Sequence, residues 1–341
     1  MRIPEFIREG DCLGFVAPSF GCNIEPYKSA FGNGLKKFQE MGFQIDLGPN
    51  CYAGEGIGIS NTPGKCGEEI NTYFAKKGVR ALFSCGGGEL MCEVLDYIDF
   101  EKISKQEPKW YMGFSDNTNL TFLLATLCDT AAVYGPNAPA FGMEPWHESL
   151  VDAYALLKGE RKEIRNYSHW EKESLKDEEH PLVPYHATEP ACIRSFPEQG
   201  FTVSGRLLGG CMDSLGNLVG TKYDKVSSFL RRYDKEKIIW YMEACELNVM
   251  DIRRTLWQLD EAGWFETAGG FLFGRPQCIG EELFGLDEYS AVTGILAKYD
   301  VPILMDLDIG HIPPMMPIVN GAFATVHSTG NDVLLRYDFE K

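Results

Sequence analysis

The segment Trp110–Asn117 reads WYMGFSDN, an apolar run that stops at a serine. An almost wholly apolar stretch follows it, with Leu120, Phe122, Leu123, Leu124, Ala125 and Leu127. A buried strand that leads directly into a helix is the repeating unit of α/β proteins. The segment therefore predicts a strand whose carboxyl end carries Ser115.

The residues before this segment repeat the same alternation of strand and helix. Strands are predicted at Cys12–Ala17, which stops at Pro18, at 43–47, and at Ala81–Ser84, which stops at three glycines. Helical spacing relates Tyr27, Ala30, Phe31, Leu35 and Phe38. Strands that alternate with helices predict an α/β domain over residues 1–150, with a parallel sheet covered on both faces.

The chain differs in composition from about Glu144 to Gly200, around the connecting region that we place at 151–204. This segment holds most of the histidines, several prolines and the charged stretch Glu171–Glu179. We expect a helix at Leu150–Leu157, then a connecting region that is either a binding loop or a plain linker.

A second α/β or α+β domain is predicted over 205–341. Strand patterns lie at Lys237–Met242, Gly270–Phe273 and Pro302–Asp306, and helical spacing at Ile252–Ala262. The chain ends in a predicted hairpin of Ala322–His327 with Val333–Tyr337.

Charge and cysteine content restrict the class of protein. The 341-residue chain has a formal net charge of −17 and no cluster of basic residues, which argues against nucleic acid or an anionic membrane as a partner. No secretory signal or membrane-spanning stretch is visible. The 11 cysteines are scattered without a Cys-x-x-Cys pair, so we expect reduced thiols, no zinc site and a cytoplasmic location.

Ser115 is a candidate nucleophile. A serine at a tight turn between strand and helix has an exposed hydroxyl, and the amide of the next residue faces the space in front of it. Only Gly113 is small here, and Asn117 stands where hydrolases of the α/β type have glycine. The alternative is that Ser115 and Asp116 simply cap the following helix.

Gly86-Gly87-Gly88 follows a predicted buried strand, so it lies at the same edge of the sheet as Ser115. One of its amides, with that of Asp116, could stabilise the negative charge that develops on a carbonyl oxygen. A flexible turn or a phosphate-binding loop is the alternative. The spacing fits neither of the usual nucleotide motifs.

A serine nucleophile needs a base, and the base needs an orienting acid. His311 follows a predicted strand and precedes Ile312-Pro313-Pro314, which makes its loop rigid. Glu243 ends an apolar strand, where an unpaired acid is costly; Glu246 is the competing carboxylate. The remaining histidines are expected to be solvated, or structural in the case of His327.

These segments together resemble the LD-carboxypeptidase family of serine peptidases, including its microcin-immunity branch. The resemblance spans nearly the whole chain and rests on Gly10–Ser19, Gly86-Gly87, Leu95–Asp99, Pro108-Lys109, Gly113–Asp116, Gly209-Gly210, Glu243 and Gly310-His311. It implies a Rossmann-like N-terminal domain, a smaller C-terminal β/α domain and a homodimer. It implies no metal or organic cofactor.

The resemblance also assigns roles to individual residues. Ser115 would be the nucleophile, His311 the general base and Glu243 its orienting acid, with the amides of Gly87 and Asp116 as the oxyanion hole. Gly86 would adjoin the substrate. The segment Ser168-His169-Trp170 is similar to the microcin-immunity branch, which makes Trp170 a candidate substrate contact. This chain departs from the family pattern at Tyr134 (usually histidine), Cys211 (asparagine) and Ala244 (aspartate).

Three functions are compatible with these residues. The first is a serine carboxypeptidase that removes the terminal D-alanine of a muropeptide across an L,D bond, as in peptidoglycan recycling. The second is hydrolysis of an aminoacyl or peptidyl nucleotide, as in self-immunity to such antibiotics. The third, from another class, is a non-catalytic α/β module that binds a small ligand.

Overall fold

The computed structural model describes residues 1–341. Its first half alternates strands and helices, as the apolar patterns predict. The elements are β1 Cys12–Val16, α1 Tyr27–Glu40, β2 Gln44–Leu47, α2 Pro63–Ala75, β3 Val79–Ser84, α3 Phe100–Lys105, β4 Trp110–Gly113, α4 Thr118–Cys128 and β5 Ala132–Tyr134.

The middle of the chain contains one helix and four very short strands. These are α5 Glu148–Leu157, β6 Glu163–Arg165, β7 His169–Glu171, β8 Ala187–Pro190 and β9 Arg194–Phe196. The helix was predicted and the strands were not. Segments of three or four residues, mostly exposed or half-buried, are too short to show a period of two along the sequence.

The second half again alternates and then ends in antiparallel strands. It contains β10 Phe201–Cys211, α6 Met212–Leu218, α7 Val226–Arg232, β11 Ile238–Glu243, α8 Val249–Glu261, β12 Ala268–Gly274, α9 Glu288–Leu296, β13 Ile303–Leu307, β14 Ile318–Asn320, β15 Phe323–Thr329 and β16 Asp332–Asp338. No helix in the structure combines the length and the apolar character that a membrane span requires.

The strands form two main sheets. The first has the order β14-β5-β4-β3-β1-β2, with β1 to β5 parallel and β14 antiparallel. The second has the order β6-β16-β15-β10-β11-β12-β13-β9, with a parallel centre from β10 to β13. The predicted α/β class and two-part architecture are confirmed. Strands β7 and β8 form a separate two-stranded sheet.

Helix α4 joins the two halves. It contacts β4 and β5 of the first sheet and β10 and α6 of the second half. Ten of its eleven residues are buried, which explains why its sequence is apolar almost all round. Both sheets meet this helix near the carboxyl ends of their parallel strands.

A glycine permits the close approach at this junction. The backbone N–H of Cys211 donates to Thr118 Oγ1 at 2.9 Å, which ties the end of β10 to the start of α4. A Cβ atom on Gly210 would lie 2.5 Å from Thr118 Cγ2. Any side chain at this position would therefore push the two halves apart.

We predict that Gly210→Ala lowers the free energy of unfolding by about 1–3 kcal/mol, the usual cost of overpacking a tight contact. Chemical denaturation followed by circular dichroism measures this change. Gly32→Ala in α1 is the matched control, because a Cβ there meets nothing within 4 Å. That control should be neutral or stabilising. Equal stability of the two variants would contradict the proposed junction.

Candidate active site

Ser115 lies at the turn between β4 and α4 with a left-handed backbone, φ 65°. A non-glycine residue in this region is strained, and such strain commonly marks a functional turn. The Ser115 and Asp116 side chains do not cap α4, since neither accepts from a backbone amide of that helix. The alternative of a plain helix cap is therefore wrong for this geometry.

The imidazole of His311 lies between the side chains of Ser115 and Glu243. His311 Nε2 is 2.9 Å from Ser115 Oγ, and His311 Nδ1 is 2.9 Å from Glu243 Oε2. These distances fit a hydroxyl that donates to Nε2 while Nδ1–H donates to the carboxylate. The three residues come from the carboxyl ends of β4 and β11 and from the loop after β13.

Glu243, and not Glu246, is the carboxylate at this position. Glu243 is 1% exposed, whereas Glu246 is exposed and its backbone amide donates to Asp213. A buried carboxylate is costly unless each oxygen has a partner. Here Oε2 faces His311, and Oε1 accepts from the hydroxyl of Tyr134 at 2.5 Å.

The pKa of His311 reflects two opposing effects. Burial disfavours the imidazolium and lowers the pKa. The adjacent negative charge of Glu243, with the hydrogen bond to its carboxylate, outweighs burial and raises the pKa above its usual range. The pair thus favours a positively charged imidazole, the state that a general base reaches after it accepts a proton.

The glycine turn after β3 lies directly against Ser115. A Cβ atom on Gly87 would be 3.0 Å from Ser115 Oγ, so only glycine allows this approach. The backbone N–H groups of Gly87 and Asp116 donate no hydrogen bond within the chain. Two unpaired amides beside a hydroxyl are the arrangement that an oxyanion hole requires.

Asn117 holds the glycine turn in place, a contact that sequence reasoning missed. Its side-chain amide donates to the carbonyl of Gly86 at 2.7 Å and to that of Phe114 at 3.1 Å. Its Oδ1 accepts from the hydroxyl of Tyr111. Asn117, which stands where hydrolases of the α/β type have glycine, thus links the turn after β3 to the turn after β4.

Tyr134 is a second residue whose contacts the sequence did not reveal. Its hydroxyl donates to Glu243 Oε1 and accepts from the backbone N–H of Ser115 at 3.2 Å. The ring is fully buried and packs against Phe114 and Tyr241. Its position at the end of β5, on the same sheet edge as Ser115, was the available signal.

Trp170 lies in the short strand β7. Its ring packs over the guanidinium of Arg275, 5.4 Å from the ring centroid. The next residue, Glu171, donates its backbone N–H to the carbonyl of Pro313 at 2.7 Å. The structure therefore places Trp170 beside the loop that carries His311, but gives it no contact with Ser115.

The other histidines lie away from this site. His327 is in β15 and contacts Thr202 at 2.7 Å, in keeping with a structural role. His147, expected to be solvated, is half-buried and caps α5 by accepting from Ser149. Burial under Tyr167 and Tyr185 explains this difference.

Comparison with known families agrees with this geometry. Residues 13–135 match the model of the LD-carboxypeptidase N-terminal domain, and residues 204–326 match that of its C-terminal domain. The chain belongs to the LD-carboxypeptidase family. It is accordingly a serine carboxypeptidase-type hydrolase, and the resemblance inferred from the sequence is confirmed.

Relatives of this LD-carboxypeptidase family member align with it over most of its length. The "Putative carboxypeptidase" of Treponema pallidum is 25% identical over 319 residues, 92% of this chain and 89% of the relative. The "Putative carboxypeptidase VC_A0337" of Vibrio cholerae is 25% identical over 324 residues, 93% of this chain and 92% of the relative.

Solved structures with the same fold include MccF proteins. An MccF-like protein of Bacillus anthracis superposes with a TM-score of 0.81 at 21% identity, over 99% of this chain and 100% of that one. The microcin C7 self-immunity protein MccF with aspartyl sulfamoyl adenosine gives 0.81 at 18% identity, over 99% of each chain. At such identities the likeness describes the fold.

We predict that Tyr134→Phe lowers kcat by about 10- to 100-fold with little change in KM, because Glu243 Oε1 loses its donor while the substrate surface is untouched. Unfolding free energy should fall by about 1–3 kcal/mol. Steady-state kinetics and denaturation measure both effects.

Tyr241→Phe is the matched control for this change. The Tyr241 hydroxyl is buried beside Tyr134 and has no hydrogen-bond partner, so its removal should leave both kcat and stability unchanged or improved. If the two variants behave alike, Tyr134 does not position Glu243.

Proposed function

We propose that Ser115, His311 and Glu243 form a catalytic triad that hydrolyses a peptide or amide bond near the carboxyl terminus of a small substrate. The single observation that carries this proposal is the pair of 2.9 Å contacts that the His311 imidazole makes with the other two side chains. A hydroxyl becomes a useful nucleophile only when a base can take its proton.

The reaction begins when Ser115 Oγ attacks the carbonyl carbon of the scissile bond. The hydroxyl proton passes to His311 Nε2, and Glu243 stabilises the resulting imidazolium. The carbonyl oxygen, now negatively charged, accepts from the amides of Gly87 and Asp116. Gly86 extends this turn along the substrate, and its carbonyl is held by Asn117.

Collapse of the tetrahedral intermediate breaks the C–N bond. His311 returns its proton to the leaving amine, and the acyl group stays on Ser115 as an ester. A water molecule then attacks the ester carbon, with His311 again as the base, and releases the acid product and the free serine. Each step uses the same three side chains, so all should be lost together on removal of one.

We propose a muropeptide as the first substrate class, with release of a terminal D-alanine across an L,D bond as in peptidoglycan recycling. Membership of the LD-carboxypeptidase family supports this class.

The alternative is an aminoacyl or peptidyl nucleotide, with Trp170 as a contact for the substrate. Two observations favour it: solved MccF structures of this fold hold aspartyl sulfamoyl adenosine or glutamyl sulfamoyl guanosine, and Trp170 lies beside the loop of His311. A non-catalytic binding module would use the same cleft without turnover.

We expect the purified protein to convert one of two probes, a murein tetrapeptide or an aminoacyl sulfamoyl adenosine. Mass spectrometry of the products identifies which amide bond breaks. Ser115→Ala should reduce turnover by roughly 10⁴- to 10⁶-fold, whereas Ser104→Ala should have no effect, because Ser104 is a half-buried serine on α3 whose hydroxyl bonds only to the carbonyl of Glu101. Turnover that survives Ser115→Ala would rule out the triad, and binding of a probe without any turnover would favour the non-catalytic module.

We predict that kcat/KM rises with pH, because His311 must be neutral to accept the serine proton. Glu243 raises the pKa of His311, so the rise should be centred above the ordinary histidine value of about 6.5. Glu243→Gln removes the negative charge and should shift this rise to lower pH, while it lowers the maximum rate by roughly 10³- to 10⁴-fold. A pH profile that does not move between the two proteins would contradict the role of Glu243.

We further propose a cytoplasmic homodimer. All 11 cysteines are free thiols in the structure, which is usual for proteins of a reducing compartment. The dimer rests on the family resemblance, and light scattering of the purified protein measures it directly.

A further inference from the structure

Cys211 is a thiol that the proposed hydrolysis does not use, yet it lies within the candidate active site. Its Sγ atom, a carboxylate oxygen of Glu243 and a ring nitrogen of His311 all lie within 4.8 Å of one another. Cys211 and Glu243 are brought together by the parallel pairing of β10 and β11, where they are directly opposite. His311 reaches the same point from the loop after β13.

A thiolate, an imidazole and a carboxylate are the three ligand types that zinc prefers in proteins. Metal–ligand bonds of about 2.0–2.3 Å place tetrahedral ligand atoms about 3.3–3.6 Å apart. The three atoms here therefore need to move by only about 1 Å. The three side chains would supply three of the four ligands of a tetrahedral site.

In the absence of metal each group has another partner. The Cys211 thiol is 3.3 Å from Asp213 Oδ2, and that carboxylate also accepts the backbone amides of Cys245 and Glu246. Metal binding would release the thiol proton and leave Asp213 with its two amides. The carboxylate of Asp213 thus keeps two hydrogen bonds when the Cys211 thiolate binds a metal.

We propose that Cys211, Glu243 and His311 form a binding site for one thiophilic divalent cation, such as Zn²⁺ or Cd²⁺. A bound ion would use the same atoms of Glu243 and His311 that form the hydrogen bond between these two residues. Occupation of the site by metal and deprotonation of Ser115 by His311 therefore exclude each other. The binding itself does not depend on the proposed function; its inhibitory effect does.

Cadmium titrated into the metal-free full-length protein tests the site, because a cadmium–thiolate bond absorbs in the ultraviolet. We expect one equivalent to bind. Cys211→Ser should abolish the absorption and weaken binding by about 100-fold or more, beyond the effect typical of residues behind the ligands. His311→Ala should weaken binding similarly. Cys192→Ser, which removes an exposed cysteine, and Ser115→Ala should bind as the wild type does.

Several outcomes would overturn the proposal. These are no stoichiometric binding to the wild type, unchanged binding by Cys211→Ser, or loss of binding in Cys245→Ser alone. Circular dichroism checks the fold of each variant. Should Cys211→Ser not fold, cadmium NMR of the wild-type protein decides the matter, since its chemical shift separates coordination by one sulfur from coordination by none.

The inhibitory effect is measured separately. Zn²⁺ should inhibit hydrolysis by the wild type and by Cys192→Ser, reversibly on addition of a chelator, and each variant is compared with its own metal-free rate. Binding in Ser115→Ala without inhibition of the wild type would retain the site but remove the exclusion. Absence of hydrolysis in every protein, with normal cadmium binding, would instead count against the proposed function.

Discussion

One imidazole spans the contact between the two halves of this molecule. His311 arrives from the second sheet, and the hydroxyl that it faces belongs to the first, so the 2.9 Å contact exists only because both sheets present their carboxyl edges to the same cleft. In parallel sheets this edge is where loops vary and ligands bind. The approach depends on the glycines at the end of β10, which let that strand lie against the start of α4.

The buried charge of Glu243 imposes a second requirement. A carboxylate at 1% exposure persists because both its oxygens are bonded, one to His311 and one to Tyr134. Tyr134 also accepts the amide of Ser115. One phenol therefore couples the acid on the second sheet to the strained turn on the first. Asn117 does the same for the glycine turn, so two side chains behind the cleft maintain the positions of the groups in front of it.

The residues facing the cleft were more predictable than those behind it. Ser115, Gly87 and His311 each follow an apolar run and stand within two residues of a glycine, a local pattern that is visible along the chain. Tyr134 and Asn117 carry no such pattern. Tyr134 bonds to Glu243, 109 residues away, and Asn117 bonds to Gly86, 31 residues away. The sequence alone does not show whether a hydroxyl or amide side chain will contact solvent or a buried group. The short strands β6 to β9 escaped prediction for a related reason, since long-range pairing and not local periodicity makes them strands.

By itself, then, the sequence determined the α/β class, the strand ends that carry the chemistry, and membership of the LD-carboxypeptidase family. The class and the strand ends follow from apolar periodicity and from turn residues, which act over a few neighbouring positions, whereas the family follows from the motifs that the chain shares with it. Only the tertiary structure showed that Glu243, the predicted acid, meets His311 while Glu246 does not. It also showed that Tyr134 bonds both Glu243 and the amide of Ser115, and that Cys211 lies within 4.8 Å of Glu243 and His311. Such juxtapositions arise from the register of paired strands and the packing of α4, where one residue of displacement would exchange a buried partner for solvent.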